Sequence, residues 1–301
     1  MDILRTPDER FADLPGFALA PHYLDWNGLR VHYLDEGPRD GQPLLLLHGE
    51  PTWSALYAGV IPRLRAAGYR CIAYDHIGFG RSDKVVDDAW YVAERHIECC
   101  AHMIRSLGLR EIALVVQDWG GPIGLRQAVD MPDRFARLFL ANTWLHHEGF
   151  VYTPMIRGWR DAATDPAKMG GDMPCGRVVA GTLQRPGHDP AAVQALYDAP
   201  FPDVRYKAGP RRFPWFLPYA EPEAGNAADQ QRCFEALPKL GLPIHLAFGD
   251  ADPIFSWEWA ERWAAGLPGA TLDRIAGAGH FVQQDAPGDL ATVLLARLSG
   301  H

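Results

Sequence analysis

One segment of the chain could place an acidic side chain where a strand turns sharply into a helix. The segment reads VVQDWGG and contains Asp118, followed by a predicted helix that begins at Trp119. Its glycines permit the close backbone approach of a nucleophile elbow, a turn that usually holds a serine between glycines. The chain has no G-x-S-x-G motif, and Asp118 stands where that serine would be. Because aspartate is also a favoured helix N-cap, this segment alone is compatible with a nucleophile or with a cap.

Three other segments contain the groups that an aspartate nucleophile would need. LHGEPTW ends an earlier predicted strand, and the backbone N–H of Glu50 there could bind a developing oxyanion. GDADP places Asp252 after a late strand, and GAGHF supplies His280 soon afterwards. The chain order of nucleophile, acid and histidine resembles that of the α/β-hydrolases. We therefore predict a catalytic triad of Asp118, His280 and Asp252.

Strands and helices that could position these groups alternate along the chain. Continuous apolar runs that stop at glycine or a polar residue indicate parallel strands buried on both faces, at 43–47, 70–74, 112–116, 138–140 and 244–248. Stretches with helical periodicity lie at 54–67, 93–107, 119–131 and 257–265. The pattern predicts an α/β fold with a doubly wound, mostly parallel sheet, preceded by a hairpin at Asn27-Gly28. Such sheets bind ligands at the carboxyl edge, where the candidate residues fall.

The alternation stops between about residue 145 and residue 234, where Trp, Pro, Gly and Arg are dense. Because it resumes afterwards, we expect an inserted helical cap at 145–234 rather than a second, tandem domain. The α/β-hydrolase core would then comprise residues 1–144 and 235–301.

Composition excludes several classes of protein. Of the 301 residues 48% are apolar and 22% charged, which is typical of a globular protein and not of a disordered or fibrous one. A net charge of -8 without a basic stripe argues against a nucleic-acid partner. Five cysteines without a C-x-x-C pair, together with the lack of a signal-like or membrane-length apolar segment, predict a cytoplasmic protein without membrane association. The sequence leaves the oligomeric state open.

Two motifs resemble those of the haloalkane dehalogenases, a family of the α/β-hydrolase superfamily, and the likeness covers nearly the whole chain. They are HGEPTW and QDWGG, and the segment DHIGFGRSD between them is shared more widely in the superfamily. The resemblance implies Asp118 as nucleophile, His280 as base and Asp252 as the acid that orients the base.

The same resemblance implies that two indole N–H groups bind the halide. Trp119 would be one of them, and Trp159 matches the position of the other in the cap better than the alternative, Trp144. In one branch of the family the acid follows the strand that here ends at Asn142, and an asparagine donor stands where this chain has Glu50. The chain is therefore similar to the branch that uses two tryptophans and a late aspartate.

An aspartate nucleophile suits an alkyl halide chemically. Attack by serine would leave an ether, whereas attack by Asp118 leaves an ester that water activated by His280 can hydrolyse to a primary alcohol, with halide and a proton as the other products. Backbone N–H groups of Glu50 and Trp119 would stabilise the oxyanion, a contact worth roughly 3–4 kcal/mol. An indole N–H donates to halide and does not titrate. We expect a small halogenated aliphatic substrate and water as reactants, with no metal and no organic cofactor.

Three alternatives stay open from the sequence. An epoxide hydrolase could use the same triad with cap tyrosines, for which Tyr152, Tyr197, Tyr206 and Tyr219 are candidates. A fluoroacetate dehalogenase would need an arginine pair such as Arg211-Arg212. A non-catalytic ligand-binding protein of this fold would usually lack a member of the triad.

Overall fold

The computed structural model describes residues 1–300 of the chain. Within them it forms ten strands: β1 (Ile3–Leu4), β2 (His22–Trp26), β3 (Leu29–Glu36), β4 (Pro43–Leu47), β5 (Arg70–Tyr74), β6 (Lys84–Val85), β7 (Ile112–Asp118), β8 (Phe135–Thr143), β9 (Ile244–Gly249) and β10 (Thr271–Ile275). The same residues form eleven α-helices: α1 (Ile61–Ala66), α2 (Ala93–Ser106), α3 (Gly120–Asp130), α4 (Pro154–Thr164), α5 (Cys175–Thr182), α6 (Pro190–Asp198), α7 (Ala208–Trp215), α8 (Ala227–Ala236), α9 (Trp257–Ala265), α10 (Val282–Asp285) and α11 (Pro287–Leu298).

Eight strands form one sheet in the order β10-β9-β8-β7-β4-β5-β3-β2. Strand β3 runs antiparallel to both of its neighbours, and the other neighbouring pairs are parallel. The predicted hairpin is present as β2 and β3, which pair from His22 opposite Tyr33 to Trp26 opposite Leu29. Strands β1 and β6 form a separate two-stranded ribbon.

Helices cover both faces of the sheet. Successive side chains of a strand point to opposite faces, and in β4 Leu45 and Leu47 pack in one buried cluster with side chains of α2 and α3. Leu44 and Leu46 pack in a second cluster with side chains of α1 and α11. A strand covered on both sides needs apolar residues at every position, which explains the continuous run. The predicted α/β fold with a doubly wound, mostly parallel sheet is confirmed.

Some element boundaries differ from the prediction. The stretch 54–67 is a 3-10 helix at Ser54–Tyr57 followed by the short helix α1, whose first turn contains a proline. Strand β8 is longer than predicted, and β10 and α11 were not predicted at all. Strand β10 lies at the edge of the sheet and its sequence is TLDRI, so partly exposed charged residues hide the strand pattern.

Between β8 and β9 the structure contains the five helices α4 to α8 and no strand of its own within the described residues. The predicted end of the cap at residue 234 lies inside α8, which is joined to α3 by an ion pair between Asp229 and Arg126. The division into core and cap stays a prediction. Within residues 1–300 no helix is both long and apolar enough to span a membrane.

Candidate active site

The turn between β7 and α3 holds Asp118 in a strained backbone conformation. Asp118 is the last residue of β7 and has φ of 48°, in the left-handed region that non-glycine residues seldom adopt. The Thr143 hydroxyl donates a 2.6 Å hydrogen bond to the Asp118 carbonyl oxygen and supports the turn from the end of β8. A Cβ at Gly121 would overlap that hydroxyl. This geometry is that of a nucleophile elbow, where strain is retained for function.

The loop after β4 approaches the Asp118 carboxylate directly. The backbone N–H of Glu50 donates a 2.9 Å hydrogen bond to Oδ1 of Asp118. The approach depends on Gly49, because a Cβ there would overlap the carboxylate. Two hydrogen bonds between His48 and His76 hold this loop in place. The His76 backbone N–H donates to His48 Nε2 at 3.1 Å, and His76 Nε2 lies 2.9 Å from the His48 carbonyl oxygen. The Asp118 side chain therefore faces the predicted oxyanion donor.

The three predicted triad residues lie together and are almost completely buried. His280 Nδ1 lies 3.0 Å from Oδ2 of Asp252, and because a carboxylate only accepts, Nδ1 donates this hydrogen bond. The other ring nitrogen, Nε2, lies 3.6 Å from Oδ2 of Asp118, an ion-pair distance rather than a hydrogen bond. His280 thus lies between the two carboxylates with Nε2 directed to the nucleophile.

Two residues that support the triad were not assigned a function from the sequence. The Asn142 amide donates a 2.8 Å hydrogen bond to Oδ2 of Asp252, while its oxygen accepts one from the Gly249 N–H. The Gln117 amide donates to the His280 carbonyl oxygen at 3.2 Å, and its nitrogen also lies 3.1 Å from Nε2. The sequence signal was weak but present, because both are polar residues near the ends of apolar strands.

Two carboxylates dominate the electrostatics of His280. Burial on its own lowers the pKa of a histidine, but the negative charges of Asp252 and Asp118 and the hydrogen bond to Asp252 outweigh it and raise the pKa of His280 to about 10. With Asp118 ionised and unmodified, His280 is therefore protonated at neutral pH.

Glu50 contributes a buried carboxyl group to the site. Its side chain is buried, which raises its pKa well above the ordinary value, and the neighbouring charge of Asp118 raises it further while His280 opposes the shift. Its Oε1 atom is buried without a hydrogen-bond partner among the described residues. Burial and the Asp118 charge therefore both favour the neutral form of this carboxyl group.

A cavity of about 600 Å³ opens onto these residues. Asp118, His280 and Glu50 line it together with residues of the core and of α4, α5 and the α7 region. Apolar side chains form most of the wall, including Ile156, Val178, Leu217, Phe255 and Phe281. The arrangement suits an uncharged, largely apolar molecule placed against a carboxylate.

Three of the ten tryptophans line the cavity: Trp119, Trp144 and Trp159. Trp119 packs edge-on against Trp144, with 4.9 Å between the ring centroids. Trp144 is fully buried, and its indole N–H has no acceptor within the described residues, although the ring lies next to Tyr152. Trp159 lies on α4 and is partly buried. Both candidates for the second halide donor therefore contact the same cavity.

Most of the tyrosines and arginines that epoxide hydrolysis or fluoroacetate dehalogenation would need interact with other side chains and do not line the cavity. Tyr152 lines the cavity, but the Tyr197 hydroxyl donates to Gln284 and Tyr219 packs against Arg157. Arg211 forms an ion pair with Asp88, and the Arg212 guanidinium stacks on Trp215. The structure thus brings one cap tyrosine, and not the arginine pair, to the cavity.

Comparison with known proteins agrees with this geometry. The family model described as alpha/beta hydrolase fold matches residues 42–287, so the chain is an α/β-hydrolase. A haloalkane dehalogenase from Mycobacterium marinum is 42% identical over 309 residues, covering 98% of this chain and 99% of the relative. A haloalkane dehalogenase from Psychrobacter cryohalolentis is 40% identical over 302 residues, covering 98% and 97%.

A solved structure gives the same result. The tetrameric haloalkane dehalogenase DpaA from Paraglaciecola agarilytica superimposes with a TM-score of 0.87 at 34% identity, covering 98% of both chains. The chain belongs to the haloalkane dehalogenases, which are hydrolases.

Proposed function

We propose that this enzyme displaces halide from an uncharged haloalkane by attack of Asp118 and hydrolyses the resulting ester with water activated by His280. The observation that carries the proposal is the position of the Asp118 carboxylate, which lies at the strained turn, in the wall of an apolar cavity and 3.6 Å from the base.

In the first step a carboxylate oxygen of Asp118 attacks the carbon that carries the halogen. A carbon–oxygen bond forms, the carbon–halogen bond breaks, and the halide leaves with the bonding electrons. Because halide is a very weak base, it needs donors but no proton. Trp119 and Trp159 are proposed as those donors, with Trp144 as the alternative to Trp159, since all three line the cavity.

In the second step His280 can act as a base because the first step has alkylated Asp118. Alkylation turns Asp118 into a neutral ester, which removes one of the two charges that raise the pKa of His280. The pKa of His280 then falls, the proton on Nε2 passes to solvent, and the neutral Nε2 can accept a proton from water. Asp252 keeps the imidazole oriented through its hydrogen bond to Nδ1 and stabilises the imidazolium that forms.

The water oxygen attacks the ester carbonyl carbon, and the carbonyl oxygen becomes negative. The Glu50 N–H already donates to Oδ1 of Asp118 and is in place to bind that oxyanion, together with the N–H of Trp119. Collapse of the tetrahedral intermediate breaks the carbonyl carbon–oxygen bond to the alkoxy group, which takes the proton from the His280 imidazolium and leaves as the alcohol. The carboxylic acid formed on Asp118 passes its proton to His280, so that the carboxylate and the protonated histidine of the resting enzyme are regenerated.

Bromide release from a short terminal bromoalkane tests the proposal, with Asp118→Ala as the control variant. We expect steady release by the parent enzyme and none above background by Asp118→Ala. Release that persists in a folded Asp118→Ala protein would overturn the assignment of the nucleophile. If the parent enzyme released no bromide but opened an aryl epoxide, the single cavity-lining tyrosine, Tyr152, would become the candidate acid for epoxide hydrolysis.

A further inference from the structure

A buried carboxylate outside the triad lies directly behind the loop that carries the base. Asp285 is the last residue of α10, five residues after His280, and its side chain is completely shielded from solvent. It does not line the cavity and has no part in the reaction described above. A buried charge of this kind is stable only when its hydrogen-bond acceptors are well satisfied.

Four donors from two parts of the chain converge on Asp285. Oδ2 accepts from the backbone N–H of Gly279 at 2.7 Å and from that of Gln184 at 3.0 Å. Oδ1 accepts from the backbone N–H of Arg185 at 2.9 Å and from Nε2 of His188 at 3.1 Å. One donor belongs to the loop that leads to the base, and the other three belong to the connection between α5 and α6.

The two segments also touch each other. A Cβ at Gly279 would lie 2.7 Å from Cγ of Gln184 and 3.0 Å from the carbonyl oxygen of Thr182. Thr182 ends α5 and lines the cavity, and Gly279 precedes His280 in the chain. Thr182 at the cavity wall is therefore in contact with the residue that precedes the base, and Asp285 lies beside this contact.

We propose that Asp285 is a positioning residue that ties the loop bearing His280 to the segment 184–188 beyond α5, so that the base is held in register only while this part of the cap is seated. This inference rests on the proposed function for its kinetic consequence, but the mechanical tie does not depend on the reaction. An ionised carboxylate can accept from all four donors at once. An amide cannot, because its NH₂ group would face at least one backbone N–H.

The test uses Asp285→Asn and a matched control in the same region of the fold. Asp198 also accepts a 2.8 Å hydrogen bond from a backbone N–H, that of Gly176, but within the α5–α6 pair and away from the base. Asp198→Asn therefore loosens the cap without touching the loop that carries His280. Both variants are near-isosteric, and their folding is checked by thermal unfolding before comparison.

The first readout is amide hydrogen exchange and needs no substrate. In Asp285→Asn we expect exchange to accelerate on the order of tenfold, as for loss of a charge-assisted hydrogen bond, in peptides covering both 182–188 and 276–284. In Asp198→Asn only peptides around Gly176 should respond. Unchanged protection of 276–284 in Asp285→Asn would overturn the tie, whatever the activity of the enzyme.

The second readout separates the two chemical steps by rapid quench with a bromoalkane. A displaced base should slow hydrolysis of the alkyl-enzyme about tenfold to a hundredfold while the initial burst of bromide is unchanged, so that covalent adduct accumulates in Asp285→Asn. A residue with only a structural role would lower stability and leave the ratio of the two steps as in the parent enzyme, which would contradict the proposal. If the parent enzyme itself forms no adduct, the proposed function fails, and the exchange experiment still decides the tie.

Discussion

At the scale of single residues, the chemistry depends on one histidine placed between two carboxylates. Asp252 holds Nδ1 of His280 at 3.0 Å, and Asp118 lies 3.6 Å from Nε2. In the proposed reaction only Asp118 is alkylated, and hydrolysis regenerates its carboxylate. The protonation state of the base is thereby linked to the covalent state of the nucleophile.

This link predicts different pH dependences for the two steps. Alkylation does not need a neutral base and should vary little with pH between about 6 and about 9, whereas ester hydrolysis needs neutral His280 and should slow as the pH falls. The sign follows from the shift, because protons that bind His280 in the ester state remove the base. Rapid-quench measurements of the bromide burst and of adduct decay check this. A burst that falls with decreasing pH in step with hydrolysis would contradict the link.

Glu50 gives a second prediction at this scale. Burial and the charge of Asp118 raise the pKa of its side chain well above the ordinary value and so favour the neutral form. Glu50→Gln keeps a neutral group of nearly the same shape and leaves the backbone N–H in place, so we expect bromide release within about one order of magnitude of the parent rate. Glu50→Ala, which empties the volume, should lose more. An equally large loss in both variants would mean that ionised Glu50 acts in the reaction.

At the scale of elements, the site is assembled from the carboxyl ends of neighbouring parallel strands. Strand β7 ends at Asp118, β4 leads to the Glu50 loop, and β9 precedes Asp252. Parallel strands deliver these ends to one edge of the sheet. The β4 loop contacts the Asp118 carboxylate directly through the Glu50 N–H, at 2.9 Å.

Gly49 is the residue that lets the loop after β4 approach Asp118, and substituting it tests the position of that loop. The Cβ of Gly49→Ala would overlap the Asp118 carboxylate, so the loop must shift and the Glu50 N–H must leave its 2.9 Å hydrogen bond. We expect a loss of about a hundredfold in ester hydrolysis, the size of effect seen when one oxyanion donor is removed. Steady-state rates with a bromoalkane measure it.

Gly181→Ala is the matched control for that substitution. Gly181 lies in α5 with open space around its Cβ position and without a positive φ, so alanine fits there and slightly favours the helix. Gly181→Ala should keep parent activity. Equal activity of both alanine variants would show that the Glu50 loop is not needed in its present position.

The elements also show how far the sequence alone could lead. The buried strands were predictable because a strand covered by helices on both faces has apolar residues at every position, as in β4 and β7. Edge strand β10 was not, since the charged residues Asp273 and Arg274, which point to its two faces, interrupt the apolar pattern. The candidate triad followed from chain order and the turn motif. Asn142 gave only a weak signal and Asp285 gave none, because the Asp252 acceptor of Asn142 and most of the donors to Asp285 are distant in sequence.

At the scale of the whole molecule, stability depends on a buried carboxylate that joins distant segments. Asp75 accepts 2.7 Å hydrogen bonds from the backbone N–H groups of Ser54 and Arg81 and lies 2.7 Å from Nδ1 of His32. Burial raises its pKa, but His32, His48 and the hydrogen bond from Ser54 lower it to about 2. The folded protein therefore holds this carboxylate ionised more firmly than the unfolded chain does.

The sign of this shift predicts the acid limb of stability. A lowered pKa in the folded state contributes stability above the ordinary aspartate pKa, and the contribution is lost as pH falls from about 4 to about 2. Asp75→Asn should lower the free energy of unfolding by about 2–4 kcal/mol at neutral pH, since it leaves buried donors without an anionic partner. It should also flatten the decline between those pH values. Urea unfolding as a function of pH measures both effects.

Asp40→Asn, at an exposed carboxylate, serves as the control and should change the free energy of unfolding by no more than about 0.5 kcal/mol. If Asp75→Asn behaved like Asp40→Asn, the buried hydrogen bonds of Asp75 would contribute no net stability.

The most direct test of the account is to trap the covalent intermediate on Asp118. His280→Gln should remove the base while leaving the nucleophile and the cavity in place. Mixed with a short terminal bromoalkane, this variant should release about one equivalent of bromide and gain the mass of one alkyl group. Peptide mapping should place that group on Asp118, and the double variant with Asp118→Ala should gain nothing. Continued turnover of His280→Gln without an adduct, or an adduct on any other residue, would contradict the account.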